Sequence, residues 1–137
     1  ARVVSAATWG NEPEYMGVAP IGAIKKVLAR TGMSMSDIDV VELNEAFAAQ
    51  VLACLAAWED DTFCREILRL RGPAGRIARD KLNVDGGAIG LGHPVGASGN
   101  RIVLHLVNAM KRLGVKQGIA TERIGGGQGG AMLIEAV

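Results

Sequence analysis

The chain has 137 residues, of which 49% are hydrophobic and 21% are charged, and its formal net charge is +1. This length accommodates one domain with a substantial core. Nucleic acid is disfavoured as a partner because it requires clustered cations and stacking rings, and aromatic residues are only 4% of this sequence. A membrane is also not expected as a partner, because no apolar stretch is long enough to span a bilayer.

The cysteines bear on the redox environment of the protein, and the first residue bears on the origin of the chain. Cys54 and Cys64 are too few for a disulfide framework, which favours a reducing environment. The sequence begins with Ala1 rather than Met, and no signal peptide is recognisable. We therefore expect a chain that is not secreted and that comes from a longer or processed protein.

Strands and helices alternate in the first part of the sequence. Residues 1–8 are apolar and rich in β-branched side chains, which predicts a buried strand. A helix is predicted to begin at Pro20 and to end at Gly32. Residues 38–43 form a second predicted strand. The helix predicted for 45–58 is apolar on almost every side, which is typical of a helix buried on several sides.

The second part begins with a polar segment. We interpret residues 59–81 as a surface excursion with a short helix over 62–70. A third buried strand is predicted for 82–89, and an amphipathic helix for 98–113.

The chain ends in two apolar segments, 118–124 and 131–137, whose glycine-rich connection is short enough for an antiparallel pair. Alternating strands and helices are typical of an α/β fold. We therefore predict one α/β domain over residues 1–137, with a mixed, mostly parallel sheet and an antiparallel final strand.

Asn44 directly follows the second predicted strand. Asn is a favoured helix N-cap, so one interpretation is structural. The carboxyl end of a parallel strand is also where α/β folds bind ligands, and an amide there could hold a water or a substrate oxygen. The local pattern leaves both interpretations open.

His93 lies in residues 83–101, a run that contains six glycines. Pro94 disfavours the helical conformation at His93, and the flanking glycines leave the imidazole free to face a cavity. Such a ring can donate to an oxyanion or transfer a proton, although a structural histidine is the alternative. His105, in the middle of a predicted helix, is interpreted as structural.

The glycine-rich connection over 125–130 has two interpretations. It is either a tight hairpin or a turn whose backbone N–H groups point at a substrate oxygen. The Gly90-Leu91-Gly92 sequence lacks the remaining features of a dinucleotide fingerprint. The cysteines and histidines lack metal-ligand spacing, so no metal site is expected.

Three blocks together resemble the C-terminal half of the thiolases, which include acetyl-CoA acetyltransferases and 3-ketoacyl-CoA thiolases. They are Asn44-Glu45-Ala46-Phe47, the run over 83–101 with Gly92-His93-Pro94, and the terminal Ile124-Gly125-Gly126-Gly127-Gln128-Gly129. The resemblance implies one half of a layered αβαβα fold.

The resemblance also implies an activity and partners. The activity is reversible Claisen condensation and thiolysis of 3-ketoacyl-CoA, with coenzyme A as substrate and no permanently bound cofactor. The implied setting is fatty acid β-oxidation in a bacterial cytoplasm or an organelle matrix. The implied assembly is a dimer or tetramer that also contains an N-terminal thiolase half.

Five residues receive roles from the resemblance. Asn44, through a water, and His93 would stabilise the enolate oxygen of the thioester. The Gly125 N–H would help to form a second oxyanion hole. Phe47 and Met16 would line the acyl pocket.

Two features depart from the family pattern. The nucleophilic cysteine belongs to the N-terminal half, which this chain lacks. Position 123, where the family has its acid/base cysteine, is Arg123, and an arginine cannot be deprotonated. Glu122 precedes it, and neighbouring strand residues point to opposite faces, so these two charges cannot readily pair. Two alternatives to an enzymatic function therefore stay open. The chain could be an inactive thiolase-like subunit or scaffold, or a small CoA- or nucleotide-binding module.

Overall fold

A computed structural model describes residues 1–137. Four strands and five helices follow one another in chain order, and the polar excursion contains α3. The elements are β1 (Arg2–Gly10), α1 (Ala19–Thr31), β2 (Val40–Leu43), α2 (Ala48–Glu59), α3 (Asp61–Glu66), α4 (Ala88–Leu91), α5 (Ser98–Leu113), β3 (Gln117–Ile124) and β4 (Gln128–Glu135). None of the helices reaches the length and apolarity that a bilayer crossing requires.

The four strands form one mixed sheet in the order β1-β4-β3-β2. β2 and β3 are parallel, and β4 is antiparallel to both β1 and β3. Three strands therefore run in one direction and the final strand runs against them, as predicted. Because β4 lies between β1 and β3, two of the three neighbouring pairs are antiparallel.

Side chains on the two faces of the sheet enter different clusters. Ile119 and Leu133 face α1 and α2 and belong to a cluster of 20 buried residues, which we call the main core. Ala120 and Ile134 face α5 and belong to a cluster of 6 buried residues. Strand alternation separates the two clusters.

Local signals define α1 as predicted. Pro20 occupies its first turn. Gly32 follows its last residue with φ 69°, and the Gly32 N–H donates to the Leu28 carbonyl. This left-handed cap favours glycine and ends the helix.

The helix predicted to begin at residue 45 begins at Ala48, and Phe47 is its N-cap. The expected N-cap role of Asn44 is therefore wrong. The Asn44 N–H donates instead to the Thr121 carbonyl (3.0 Å), which continues the ladder between β2 and β3 and keeps the chain extended. Burial on several sides is also not observed in this chain, because Leu52 of α2 is 51% exposed.

The strand predicted for 82–89 is also wrong. Only Leu82 bridges to β2, through Val41, and α4 forms where the strand would end. Asn83 turns the chain with φ 46°. Its side-chain oxygen accepts the Leu43 N–H (2.9 Å) and its amide donates to the Leu43 carbonyl (3.0 Å). The Asn83 side chain thus forms the two hydrogen bonds to Leu43 that the backbone of a neighbouring strand would otherwise form.

The polar excursion packs against the main core. Its helix, α3, is shorter than predicted, and Asp60 caps it by accepting the Phe63 N–H (2.6 Å). Cys64 and Leu68 are almost completely buried. The Cys64 thiol faces inward and donates to the Trp58 carbonyl (3.4 Å), so this cysteine belongs to the core although it lies in the polar excursion.

Candidate active site

Asn44 and His93 meet at the edge of the sheet where β2 ends. Asn44 follows β2, and His93 lies in the loop that precedes α5. Asn44 Nδ2 lies 3.5 Å from His93 Nε2. Residues that are 49 positions apart are thereby joined at the carboxyl end of a parallel strand, where α/β folds bind ligands.

Ser98, the first residue of α5, holds the other side of the imidazole. Its Oγ lies 2.6 Å from His93 Nδ1 and donates to the Pro94 carbonyl at 3.2 Å. Because the hydroxyl hydrogen is used by Pro94, Oγ accepts a hydrogen bond from Nδ1–H. In neutral His93, Nε2 then carries the free lone pair and accepts from Asn44. This tautomer is assigned from the hydrogen-bond partners.

Asn44 also has an unused acceptor. The residue is 2% exposed, and its Oδ1 is buried without a hydrogen-bond partner in the chain. An unsatisfied buried acceptor costs about 1–3 kcal/mol, so native proteins normally give it a water or a ligand group. The Oδ1 atom therefore suits a bound water beside the imidazole.

Glu45, which the sequence patterns did not single out, connects the glycine-rich run to Asn44. Its Oε1 accepts from Asn83 Nδ2 (2.9 Å), and its Oε2 accepts the Ile89 N–H (3.1 Å). A β-carbon added at Gly87 would lie 2.5 Å from Oε2, so a side chain there would displace the carboxylate from this position. The carboxylate thus fixes the loop that carries His93.

Arg123, Phe47 and Met16 lie together on the face of β3 that faces the main core. The Arg123 guanidinium carbon is 5.5 Å from the centroid of the Phe47 ring, and Arg123 Nη1 donates to Met16 Sδ (3.7 Å). These contacts are weak, and no carboxylate forms an ion pair with the guanidinium. Phe47 is 64% exposed, so the group lies at the surface of this chain.

Glu122 lies on the opposite face of β3, beside α5. A β-carbon added at Gly99 would lie 2.5 Å from Glu122 Oε1, so the carboxylate packs against the first turn of α5. Burial raises the pKa of the Glu122 carboxyl, and the neighbouring charge of His93 opposes that rise. Glu122 and Arg123 therefore do not pair, as alternation along a strand predicts.

Gly125 begins the turn between β3 and β4. Its N–H makes no hydrogen bond within the chain, and a β-carbon added there would meet nothing within 4 Å. Gly127, with φ 86°, accepts the Asn11 N–H on its carbonyl (2.7 Å). The turn is therefore anchored at one end and open at Gly125.

His105 forms a second polar group on α5. Its Nδ1 lies 2.9 Å from Glu42 Oε1, and its Nε2 lies 2.9 Å from Asp85 Oδ2, which also pairs with Arg112. Burial raises the pKa of Glu42, and the charge of His105 opposes that rise. This cluster ties β2, α5 and the glycine-rich run together, which agrees with a structural role for His105.

The cysteines take no part in these groups. Cys54 is 2% exposed, and its thiol donates to the Gly17 carbonyl (3.3 Å). Burial raises the pKa of this thiol to about 11, so it is protonated at neutral pH and is not a nucleophile. Ser98 and Glu45 lie within the sequence blocks that the resemblance identifies, but no sequence signal assigned either of them a contact in the site.

Known proteins are similar to this chain in sequence and in fold. Residues 1–136 match the family described as thiolase, C-terminal domain. An acetyl-CoA acetyltransferase of Syntrophomonas wolfei is 44% identical over 137 residues, which are 100% of this chain and 31% of that protein. A 3-ketoacyl-CoA thiolase of Aliivibrio salmonicida is 45% identical over 135 residues, which are 98% of this chain and 31% of that protein.

A solved structure agrees with these relatives. The crystal structure of the Bacillus anthracis acetyl-CoA acetyltransferase superposes with a TM-score of 0.81 at 40% identity, covering 99% of this chain and 30% of that one. The chain thus spans about a third of the length of its relatives. The family match over almost every residue, with the α/β fold described above, leads to one conclusion: the chain belongs to the thiolase family and is its C-terminal domain.

Proposed function

We propose that this chain supplies the oxyanion-binding side of a thiolase active site. The reaction is acyl transfer between acetyl-CoA or 3-ketoacyl-CoA and coenzyme A, by reversible Claisen condensation and thiolysis. Coenzyme A is a substrate, and no cofactor is permanently bound. The names of the relatives, an acetyl-CoA acetyltransferase and a 3-ketoacyl-CoA thiolase, support this substrate class.

The Asn44–His93–Ser98 hydrogen-bond chain is the observation that carries the proposal. A water on the unpartnered Asn44 Oδ1 donates its second hydrogen to the enolate oxygen of the thioester. His93 donates to the same oxygen from Nε2 in its other tautomer, in which the Ser98 hydroxyl turns from the Pro94 carbonyl to donate to Nδ1. Donors fixed before the reaction stabilise developing negative charge without reorganising.

The remaining residues take supporting roles in this proposal. The open Gly125 N–H donates to the oxygen of the second, tetrahedral intermediate. Phe47 and Met16 line the acyl pocket. Arg123 lies between them and cannot remove a proton, because a guanidinium remains charged in proteins.

The nucleophile comes from another part of the protein. Burial of Cys54 and Cys64 leaves no reactive thiol here, so we assign the acyl-accepting cysteine to an N-terminal thiolase half. We also propose a dimer or tetramer that acts in fatty acid β-oxidation, in a bacterial cytoplasm or an organelle matrix.

A chimera tests the proposed function. Residues 1–137 replace the matching segment of the Syntrophomonas wolfei relative, with Arg123→Cys to restore the family's acid/base thiol. We expect acetoacetyl-CoA thiolysis, and we expect Asn44→Ala or His93→Ala to lower kcat by about 10²-fold or more, the effect of losing one oxyanion donor.

Asn108→Ala is the matched control, because Asn108 is an exposed asparagine of α5. It should leave kcat unchanged. A folded Arg123→Cys chimera that binds CoA but does not cleave acetoacetyl-CoA would overturn the proposed function.

A further inference from the structure

We propose that a cavity between α1 and the polar excursion binds a small carboxylate with an apolar body. The cavity has a volume of about 340 Å³, which lies in the range of small-ligand sites. It includes none of the residues assigned to the oxyanion site or to the acyl pocket. The inference therefore goes beyond the proposed function and does not depend on it.

The cavity lies where the last turns of α1 meet the segment that follows α3. Apolar side chains of α1, α2 and the excursion supply its walls, among them Leu28, Trp58 and Leu70. The Ala74 N–H donates to the Trp58 carbonyl (3.0 Å), which holds the excursion against the end of α2. At 1.5 Å per residue, Trp58 lies about 16 Å further along this helix than Phe47. The cavity is therefore separate from the proposed acyl pocket.

Trp58, one of the residues that line the cavity, carries an unsatisfied donor. The residue is 2% exposed, and its Nε1–H is buried without a hydrogen-bond partner in the chain. The other tryptophan, Trp9, donates its Nε1–H to Asn11 Oδ1 at 2.6 Å. A buried indole N–H normally has a partner, because its loss of water is otherwise uncompensated. An acceptor oxygen bound in the cavity supplies that partner.

The charged residues that line the cavity are both cations, Lys25 and Arg71. Neither forms an ion pair with a carboxylate of the chain. Lys25 Nζ lies 5.5 Å from the centroid of the Trp9 ring, which is a weak contact at a partly exposed site. Both cations are therefore available to an anion.

The carboxylates next to the cavity already have partners. Asp37 accepts the Ser34 N–H at 2.8 Å, and Asp61, beside Gly72, accepts from Arg65 Nε at 2.9 Å. The cations of the cavity are thus not neutralised by the chain itself. Apolar walls, two cations and a free indole N–H together select a carboxylate on an apolar body, because its two oxygens accept from both kinds of donor.

Indole NMR of the nitrogen-labelled chain with hexanoate tests the inference. Trp9→Phe assigns the two indole signals. We expect the Trp58 Nε1–H proton signal to move downfield and to saturate, while the Trp9 signal stays in place because its N–H is already bonded. Hexan-1-ol has the same apolar body without the charge, and inorganic phosphate has charge without the body. We expect each to bind about 10-fold more weakly than hexanoate, or worse.

Two substitutions at the rim of the cavity separate charge from packing. Lys25→Met and Arg71→Met each remove one cation and keep an apolar stem. Each should raise the Kd of hexanoate about 10-fold, the effect of losing one hydrogen bond to a charged group. Lys111→Met is the matched control, because Lys111 is exposed on α5 and does not line the cavity. It should leave the Kd unchanged.

Three results would overturn the inference. A Trp58 signal that stays in place in millimolar hexanoate would show that no acceptor reaches the indole N–H. Equal affinities for hexanoate and hexan-1-ol would remove the anionic group from the ligand. An unchanged Kd in both Lys25→Met and Arg71→Met would show that these cations do not hold it.

Discussion

The two faces of the sheet differ in what they bury. The face under α1 and α2 holds the main core of 20 residues and ends in Arg123, which has only weak contacts. The face under α5 buries 6 apolar residues, and its polar side chains form directed hydrogen bonds such as the 2.6 Å contact between His93 and Ser98. One face supplies most of the apolar stabilisation, and the other holds the candidate chemistry.

This difference explains how a charge at position 123 is compatible with the oxyanion site. Arg123 and Glu122 point to opposite faces of β3, and the guanidinium makes no hydrogen bond to His93 or Asn44. A change on one face therefore leaves the hydrogen bonds of the other intact.

Trp58→Ala should have the largest effect on stability. Trp58 is 2% exposed in the main core, and loss of such a side chain costs about 3–5 kcal/mol of unfolding free energy. Urea unfolding measures this cost. Leu104→Ala on α5 is the control, because Leu104 is 59% exposed and its loss should cost less than about 0.5 kcal/mol. A cost for Trp58→Ala below about 1 kcal/mol would contradict the assignment of the main core.

Ser98→Ala should have an intermediate effect on stability and a specific effect on His93. Removing the hydroxyl leaves His93 Nδ1 without its partner, which costs about 1–3 kcal/mol, whereas the Pro94 carbonyl still accepts the Ala97 and Ser98 N–H groups. Nitrogen NMR should show the His93 tautomers redistributing. Ser36→Ala, an exposed serine, should leave the imidazole signals in place. Unchanged His93 signals in Ser98→Ala would contradict the hydrogen-bond chain.

Arg123→Met should have a small effect. The variant loses one cation–π contact, worth about 0.5–1 kcal/mol at exposed sites, and removes an unpaired charge. We expect the urea midpoint to move little in either direction and the His93 signals to remain unchanged. A loss above about 2 kcal/mol would mean that Arg123 has a strong partner.

The smallest expected effect is a pH dependence from Glu122. Its folded-state pKa is raised by burial, so the folded state binds its proton more tightly than the unfolded state. The resulting stability is complete below the unfolded pKa of about 4.3 and is lost as the pH rises through the folded pKa. Wild type should therefore lose stability relative to Glu122→Gln as the pH rises above the unfolded pKa of about 4.3. The opposite sign in urea titrations would contradict the partly buried, unpaired carboxylate.

Elements defined by neighbouring residues were predictable from the sequence. The ends of α1 follow from Pro20 and Gly32, and the final hairpin follows from two apolar segments around a glycine-rich turn. The approach of Asn44 to His93 also agrees with the resemblance.

Features set by distant partners were not predictable. Asn83 ends a predicted strand because its side chain bonds Leu43, 40 positions away. His105 bonds Glu42 across 63 positions, and Ser98 positions His93 through a contact that hydrophobic periodicity does not encode. Periodicity reports which face of an element is buried, and it carries no information about which polar groups meet across elements.

Deuterium exchange into the α-carbon of acetyl-CoA tests the central claim most directly, because exchange requires the enolate but no complete turnover. In the Arg123→Cys chimera we expect exchange in D₂O that falls about 10²-fold or more in His93→Ala and in Asn44→Ala, the effect of losing one oxyanion donor. Asn108→Ala, at an exposed position of α5 outside the site, should leave the exchange rate nearly unchanged. Equal exchange rates in the His93→Ala variant and its parent would contradict an oxyanion site on the α5 face.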